Sequence, residues 1–197
     1  MPDLFGMTVL PGLALASDFV SEAEEQALVE AIDAADLSPY RFQGWTGKRL
    51  TASFGWTYDY DAGSLRRGEP FPDWLLPFRD RAADFAGVAP DEVVQALLIR
   101  YDAGVGIGWH KDRPPFEDVV GVSLGSATAM RFRRRRGGGF ERTTVPLERR
   151  GAYRLSGEVR HGWEHGIAEH EHRRWSVTFR SLRAAGHSGL LQGSKRV

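Results

Sequence analysis

The segment Arg174-Trp-Ser-Val-Thr-Phe-Arg180 alternates polar and apolar side chains along its whole length. Because successive side chains of a β-strand point to opposite faces, this pattern predicts a strand with one polar and one apolar face. The polar face carries two arginines that frame two hydroxyl groups. A guanidinium group can bind a carboxylate with two parallel hydrogen bonds, so this face is suited to a dicarboxylate. An edge strand whose polar face meets solvent is the alternative interpretation.

Short strand-like segments surround this one throughout the second half of the chain. The spacing of these segments, about 10–15 residues with turn residues between them, is typical of a β-sandwich or barrel. A glycine-rich turn is expected at 102–108. The predicted strands are 93–101, 119–124, 129–132, 143–147, 152–155 and 175–179.

The first half of the chain predicts two helices. Ser21-Glu-Ala-Glu24 is a capping box that begins a helix running to about Ala35. A second helix is predicted over 73–86. Between them, 51–60 predicts a strand or an extended lid, and 61–72 predicts a loop because glycine and proline interrupt it. Two helices followed by a β-rich half indicate an α+β fold, and 197 residues fit one domain.

The composition excludes several kinds of site. The chain has no cysteine, which excludes a disulfide scaffold, a thiolate zinc finger, an iron–sulfur cluster and a cysteine nucleophile. Any metal must therefore be held by nitrogen and oxygen atoms. No segment is long and apolar enough for a membrane span, and the N-terminus lacks the basic region of a signal peptide, so we expect a cytoplasmic protein.

The formal net charge is zero, with 26 basic and 26 acidic residues, but the charges are segregated. Residues 17–38 carry seven acids and no base, whereas residues 131–154 carry nine arginines against two glutamates. Binding to nucleic acid, if it occurs, is therefore expected on one face only.

Histidine placement indicates a metal site. His110 and Asp112 lie two residues apart just after the glycine-rich turn, so on an extended chain they point to the same side. A second histidine from a later strand would complete a 2-His-1-carboxylate set, which suits non-haem Fe(II). Taken alone, the triplet is also compatible with a surface or structural histidine.

Four motifs in order resemble the AlkB family of Fe(II)/2-oxoglutarate dioxygenases: Leu98-Ile-Arg-Tyr-Asp-Ala-Gly104, His110-Lys-Asp112, His165-Gly-Ile167 and the Arg174–Arg180 strand. The resemblance covers most of the chain. It implies a double-stranded β-helix (jelly-roll) core flanked by N-terminal helices, an Fe(II) cofactor, and 2-oxoglutarate and O2 as co-substrates. Residues 1–90, approximately, would form helical support and a substrate lid, 91–183 the catalytic β core, and 184–197 a flexible tail.

The resemblance also implies roles for individual residues. The iron ligands would be His110, Asp112 and His165. The co-substrate would be bound by Tyr101, Arg174, Ser176 and Arg180, with Arg174 on its distal carboxylate and Arg180 near the metal-bound end or at Asp112.

Two features complicate this assignment. His161 competes with His165, because the two have the i,i+4 spacing of a helical metal pair, but Gly162 and Gly166 disfavour a helix there and His165 is preferred. Ile99 and Ser176 stand where the best-studied family members have asparagine. Ile99 cannot replace the hydrogen bond of that side chain.

The family acts mainly on alkylated bases in DNA or RNA, and two segments are candidates for substrate contact. Phe54, Trp56, Tyr58 and Tyr60 share one face of a predicted strand, where they stack on a base or pack in the core. Arg131, Arg133 and Arg134 belong to an arginine run that grips phosphate or forms a solvated hairpin.

The resemblance implies oxidative demethylation or hydroxylation of modified bases, with nucleic acid as substrate. We also expect a monomeric enzyme that does not bind membranes. An oxygenase for a protein side chain or small molecule is the alternative. A binding module with a vestigial site is a third possibility, which the intact set of charged and imidazole side chains disfavours.

Overall fold

Helices and strands alternate near the N-terminus, and strands dominate from Val93 onward. A computed structural model describes residues 10–42, 45–59 and 63–183. The helices are α1 (Glu22–Ala34), α2 (Leu76–Ala86) and α3 (Gly157–Gly162). The strands are β1 (Leu13–Ala16), β2 (Ser38–Phe42), β3 (Trp45–Asp59), β4 (Ser64–Arg67), β5 (Val93–Tyr101), β6 (Ile107–His110), β7 (Phe116–Gly125), β8 (Thr128–Arg136), β9 (Gly139–Leu147), β10 (Ala152–Leu155), β11 (Glu164–Ile167) and β12 (Arg174–Leu182).

The strands form two antiparallel sheets. The larger has the order β1-β10-β7-β12-β5-β3-β2, with β4 paired to β3, and the smaller has the order β6-β11-β8-β9. Side chains of both sheets meet in one apolar cluster, where Val119 of β7 packs with Met130 and Phe132 of β8. This arrangement confirms the predicted α+β fold with a jelly-roll core.

The alternating segment Arg174–Arg180 lies in the middle of the larger sheet, because β12 is hydrogen-bonded to β5 on one side and β7 on the other. On its apolar face, Val177 and Phe179 pack with residues of α1 such as Leu28 and Ile32. Its polar face is also buried. Arg174 is 1% exposed. The alternative of an edge strand with a solvated face is therefore wrong.

The predicted helix at Ser21 is present, and its acidic residues are paired with arginines of distant segments. Ser21 and Glu24 form the capping box. The buried Glu25 accepts hydrogen bonds from Arg149 and from the backbone N–H of Gly125. Burial raises the pKa of Glu25, but these two donors outweigh burial and lower it. The acidic helix and part of the basic β segment thus neutralise each other across the fold.

Five strands are absent from the sequence prediction: β1, β2, β4, β6 and β11. β4 lies within the predicted loop, and β6 begins within the predicted glycine-rich turn. Such short strands carry too little alternation to be recognised locally. In addition, β1, β6 and β11 pair with strands that are distant in sequence, whereas β2 and β4 pair with the adjacent β3. A short helix, α3, does form around His161, but it ends at Gly162, before His165. The predicted helix at 73–86 is a 3₁₀ turn followed by α2, and Gly87 ends it in the left-handed region, with φ of +69°.

The predicted aromatic face at 54–60 is wrong as a single surface. Gly55 has φ of +78°, and at this point β3 changes partner from β5 to β4. Phe54 packs against the helical core, whereas Tyr58 lines the cavity described below. Tyr60 and the predicted tail at 184–197 lie outside the described residues. Within the described ranges, no helix is long and apolar enough to cross a membrane.

Gly121 of β7 provides a test of how closely side chains are packed on the larger sheet. It faces Tyr153 of β10 in the register, and a Cβ at this position would overlap the ring of Tyr153. We expect Gly121→Ala to lower the free energy of unfolding by about 1–3 kcal/mol, because an overpacked site forces side chains to shift. Thermal or urea unfolding measures the change.

The control for this substitution is Gly138→Ala in the β8–β9 turn, where a Cβ meets nothing within 4 Å. It should change stability by no more than about 0.5 kcal/mol. The double variant Gly121→Ala/Tyr153→Ala should be less destabilised than the sum of its single changes, since the clash is removed. Equal effects of the two glycine substitutions would contradict the close approach.

Candidate active site

A cavity of about 830 Å³ lies between the two sheets. Its floor is formed by the polar face of β12 together with His110, Asp112 and His165. Its walls include apolar side chains of both sheets, such as Leu97 and Ile99 of β5 and Met130 of β8. The volume is in the range of small-molecule and cofactor sites.

The structure brings together His110 of β6, His165 of β11 and Asp112 of the connection that follows β6. His110 and His165 are register partners on β6 and β11, and their ring centroids are 4.3 Å apart. His165 Nε2 lies 3.4 Å from Asp112 Oδ2. His110 Nδ1 is 2.9 Å from the carbonyl oxygen of Gly108. In the tautomer that carries its proton on Nδ1, this N–H donates to the carbonyl, and the lone pair of Nε2 is left for a metal ion.

The environment holds these groups in the protonation states that metal ligands require. Burial, reinforced by the charge of His110, lowers the pKa of His165 to about 3. Burial also lowers the pKa of His110. Burial raises the pKa of Asp112, but Arg180 and the two histidines outweigh burial and hold it well below its usual range. Neutral imidazole and ionised carboxylate are the forms that bind a metal ion.

The three side chains are neighbours, but they are not closed into a formed ligand cluster: among residues 10–42, 45–59 and 63–183, no group of three or more His, Cys, Asp or Glu is arranged to hold an ion. The donor set nevertheless fits non-haem iron, because it consists of two imidazoles and one carboxylate. His165 Nδ1 is buried and has no hydrogen-bond partner among the described residues.

Arg174 forms a buried cationic socket on the cavity floor. Its Nη2 donates to Ser123 Oγ at 2.9 Å, and its guanidinium lies 5.0 Å from the ring centroid of Tyr101. Two further nitrogens, Nε and Nη1, are buried and have no partner in the described part of the chain. Unpaired donors on a buried cation are costly unless an anion binds them, so the socket is suited to a carboxylate.

The other residues predicted for this socket divide into two groups. Tyr101 and Ser176 line the cavity near Arg174, and Ile99 is the register partner of Ser176. Ile99, at the position where asparagine was expected from the family resemblance, thus forms an apolar wall beside Ser176. Arg180 instead binds Asp112 Oδ1 through Nε and Nη2 at 3.1 and 2.8 Å, and its Nη1 donates to Gln95 Oε1.

Several residues at the site have no signal in the sequence. Ser123 and Gln95 orient the two arginines, and Tyr153 lines the cavity. Burial raises the pKa of the Tyr153 hydroxyl. Sequence reasoning missed these residues because their partners lie tens of residues away.

Arg160 holds the segment that carries Asp112. It is 2% exposed, and its guanidinium donates to the backbone carbonyls of Asp112, Arg113 and Phe116 at 3.3, 2.7 and 2.8 Å. Three carbonyls bound by one buried guanidinium order this connection between β6 and β7. Arg160 lies near the end of α3, a few residues before His165, and its role was not predicted from the sequence.

The mouth of the cavity is cationic. Arg49 lies over the ring of Tyr40 at 4.1 Å and Arg113 over the ring of Tyr58 at 5.4 Å. Arg66 and Lys111, which are both exposed, also line the cavity. Asp112 is the one carboxylate among the described lining residues, and Arg180 already neutralises it. An anionic ligand is therefore favoured at the mouth.

The remaining predicted contacts lie away from the cavity lining. Trp56 packs under Arg67 of β4, at 5.4 Å. Arg133 pairs with Glu164, and Arg134 pairs with Glu141 and Glu158. His161 also lies outside the lining and is hydrogen-bonded to Glu117 at 2.9 Å.

The chain is similar to known proteins over most of its length. The model of a family described as the 2OG-Fe(II) oxygenase superfamily matches residues 12–184. The mouse tRNA (carboxymethyluridine(34)-5-O)-methyltransferase ALKBH8 is 29% identical over 163 residues, which cover 80% of this chain and 24% of that protein. An Arabidopsis thaliana protein named alkylated DNA repair protein ALKBH8 homolog is 31% identical over 189 residues, 82% of this chain and 52% of that protein.

A probable RNA/DNA demethylase ALKBH6 of Danio rerio is 30% identical over 131 residues, 63% of this chain and 51% of that protein. The chain thus spans about a quarter to a half of the length of these relatives. The solved structure of OsALKBH1 shares the fold, with a TM-score of 0.69, 14% identity and coverage of 89% of this chain and 99% of that one.

Proposed function

The chain belongs to the 2OG-Fe(II) oxygenase superfamily and, within it, to the AlkB family, and on that premise we propose that it is an Fe(II)- and 2-oxoglutarate-dependent dioxygenase that demethylates or hydroxylates a modified base in nucleic acid. The observation that carries the proposal is the cavity floor. There, two histidines and a carboxylate line the same cavity as a buried arginine that has two nitrogens without a partner in the described part of the chain.

His110, Asp112 and His165 would hold the iron. The two imidazoles approach from neighbouring strands, and Asp112 comes from the connection that Arg160 binds. Arg180 contacts Asp112 Oδ1, while Oδ2 is the oxygen nearest His165. Arg180 therefore keeps the carboxylate ionised and leaves its second oxygen for the metal.

The distal carboxylate of 2-oxoglutarate would bind Arg174. Nε and Nη1 have no partner among the described residues, and Nη2, which has two N–H groups, is bonded to Ser123, so the guanidinium keeps donors for a carboxylate. Tyr101 and Ser176 line the space beside this guanidinium and add hydroxyl groups within the socket. The Ile99 side chain makes one wall of the socket apolar, which excludes water from the ion pair and strengthens it.

With O2 as oxidant, bound iron and 2-oxoglutarate would supply the chemistry that replaces a C–H bond of the substrate by C–OH with one oxygen atom of O2, while the other is taken up as 2-oxoglutarate is oxidised to succinate and CO2. The chain supplies position and shielding. Leu97, Val119 and Ile167 surround the floor with apolar surface. Hydroxylation of an N-methyl group gives a product that loses formaldehyde, which amounts to demethylation.

Nucleic acid is the proposed substrate because the mouth combines cations with aromatic rings. Arg49 and Arg113 stacked on Tyr40 and Tyr58 offer charge for phosphate and flat surface for a base. The relatives named for tRNA modification and for RNA/DNA demethylation support the same substrate class. A base must be unstacked from its neighbours to enter the cavity, and the free-energy cost of unstacking is lowest in a single strand or loop.

Nucleic acid should stimulate turnover if this proposal is right. With Fe(II), ascorbate and 2-oxoglutarate, succinate formation is measured with and without methylated single-stranded DNA, duplex DNA and tRNA. Mass spectrometry of the recovered nucleosides then identifies the oxidised base. Stimulation by at least one nucleic acid, with a matching change in one nucleoside, is expected. No stimulation by any of them would refute the proposed substrate class.

The choice of third iron ligand can be tested with two neighbouring histidines. His165→Ala should lose Fe(II) binding and turnover, because one of three ligands is removed. His161→Ala should retain both, because this residue is bound to Glu117 outside the cavity. Metal content after reconstitution is the direct readout, and circular dichroism checks folding. The reverse result would assign the site to His161.

The carboxylate socket can be tested with two adjacent arginines. Arg174→Ala should raise the 2-oxoglutarate concentration for half-maximal binding about 10- to 100-fold, since a charged hydrogen bond is lost. Arg173→Ala is the matched control, because Arg173 is half exposed and pairs with Asp102. Calorimetric titration with 2-oxoglutarate measures both. Equal affinity in the two variants would contradict the socket.

A further inference from the structure

The outer side of the smaller sheet carries a cluster of arginines around two aromatic rings. Along β8, Met130 and Phe132 are buried, so the alternating residues Arg131, Arg133 and Arg135 point outward. The register of β8 with β9 places Arg142 opposite Arg133 and Phe140 opposite Arg135. Residues directly opposite share a face of the sheet. We call this surface the arginine face: Trp109, Arg131, Arg133, Arg135, Phe140 and Arg142.

The guanidinium groups on the arginine face are ordered by the rings. The guanidinium carbons of Arg133, Arg135 and Arg142 lie 4.6, 5.1 and 5.3 Å from the centroid of Phe140. Arg131 and Arg133 lie 5.2 and 4.6 Å from the ring of Trp109. Stacking on a ring does not use the in-plane N–H groups of a guanidinium, so the N–H groups that are exposed and not already bonded remain donors, while the conformational freedom of these arginines is reduced.

The arginine face has fewer acidic partners than the other side of the same hairpin. Arg134 and Arg136, which point the opposite way, both pair with Glu141, and Arg134 also pairs with Glu158. On the arginine face, Arg133 pairs with Glu164, whereas Arg131, Arg135 and Arg142 form no ion pair with any carboxylate in the described ranges. Arg135 and Arg142, on the same ring, therefore repel each other without an acid between them, and an anion would relieve that repulsion.

The arginine face continues into the cavity mouth. Trp109 lines the cavity, contacts Arg131 and Arg133, and directly precedes His110. A nucleotide strand that leaves the cavity past Trp109 meets guanidinium groups and an aromatic ring, the two features of surfaces that bind single-stranded nucleic acid.

The geometry points to the arginine face as a second contact for the nucleic acid substrate: it binds the phosphates of the single strand that flank the nucleotide in the cavity. This inference rests on the proposed function and extends it, because it makes affinity depend on the length of the strand rather than on the modified base alone.

The test compares a long and a short probe. Fluorescence anisotropy is measured with fluorescein-labelled single-stranded RNA of about 15 nucleotides, the upper range of such sites, and with a trinucleotide that fills the cavity alone. Arg135→Gln/Arg142→Gln should weaken binding of the long RNA about tenfold and reduce the slope of log affinity against log salt by about 1.4, the value for two phosphates on a single strand. Trinucleotide binding should not change.

The matched control removes two charges elsewhere. Arg79→Gln/Arg183→Gln has the same change in net charge, and both residues form ion pairs outside the arginine face. It should retain the affinity and salt slope of the wild-type chain. Thermal unfolding of both double variants confirms that they are folded.

Three results would overturn the inference. The first is unchanged long-RNA affinity in Arg135→Gln/Arg142→Gln, and the second is an equal loss in the control. The third is binding of a polyglutamate peptide as tightly as RNA, lost in the same variant, which would assign the surface to an acidic protein. Each is separable from the proposed function, because nucleic acid-stimulated succinate formation by the wild-type chain tests that function independently.

Discussion

The ion pair between Arg180 and Asp112 is the interaction on which the cavity floor depends. Arg180 belongs to the central strand of the larger sheet, and Asp112 to the connection between β6 and β7, so the pair spans the gap between the sheets. Both side chains are nearly buried, at 12% and 6% exposed. Removal of one partner from such a pair costs about 3–5 kcal/mol, because the remaining charge stays buried. Gln95 fixes the arginine from one side, and Arg160 fixes the backbone of Asp112 from the other.

Arginine has two distinct uses in this fold, and the presence or absence of an opposing acid separates them. Arg149 binds the buried Glu25, and Arg134 binds Glu141 and Glu158, so both join distant segments. Arg174 keeps unused donors toward the cavity, and Arg142 lies beside an aromatic ring without an ion pair in the described part of the chain. A zero net charge is therefore compatible with a cationic mouth and a cationic outer face, because the acids are used within the scaffold.

The sequence predicted most of the regular elements but fewer details of the site. The capping box at Ser21 and the alternation of Arg174–Arg180 are local patterns, and both elements form where they were predicted. The strands β6 and β11 were missed, since each is four residues long and is stabilised by pairing with the other. The aromatic face failed at Gly55, because one residue with positive φ reverses the alternation that the prediction assumed.

The sequence by itself determined the residue types at the floor, the alternation that turns Arg174 and Arg180 to one face, and the absence of thiolate ligands. These follow from composition and from periods of two or 3.6 residues, which are properties of neighbouring positions. The sequence already favoured His165 over His161, and the tertiary structure brings His165 beside Asp112. Only the tertiary structure decided that Arg180 binds this carboxylate through Oδ1, that Arg174 keeps unpaired donors in the described part of the chain, and which arginines are paired. Those outcomes depend on the register between strands far apart in the chain, and no local pattern encodes that register.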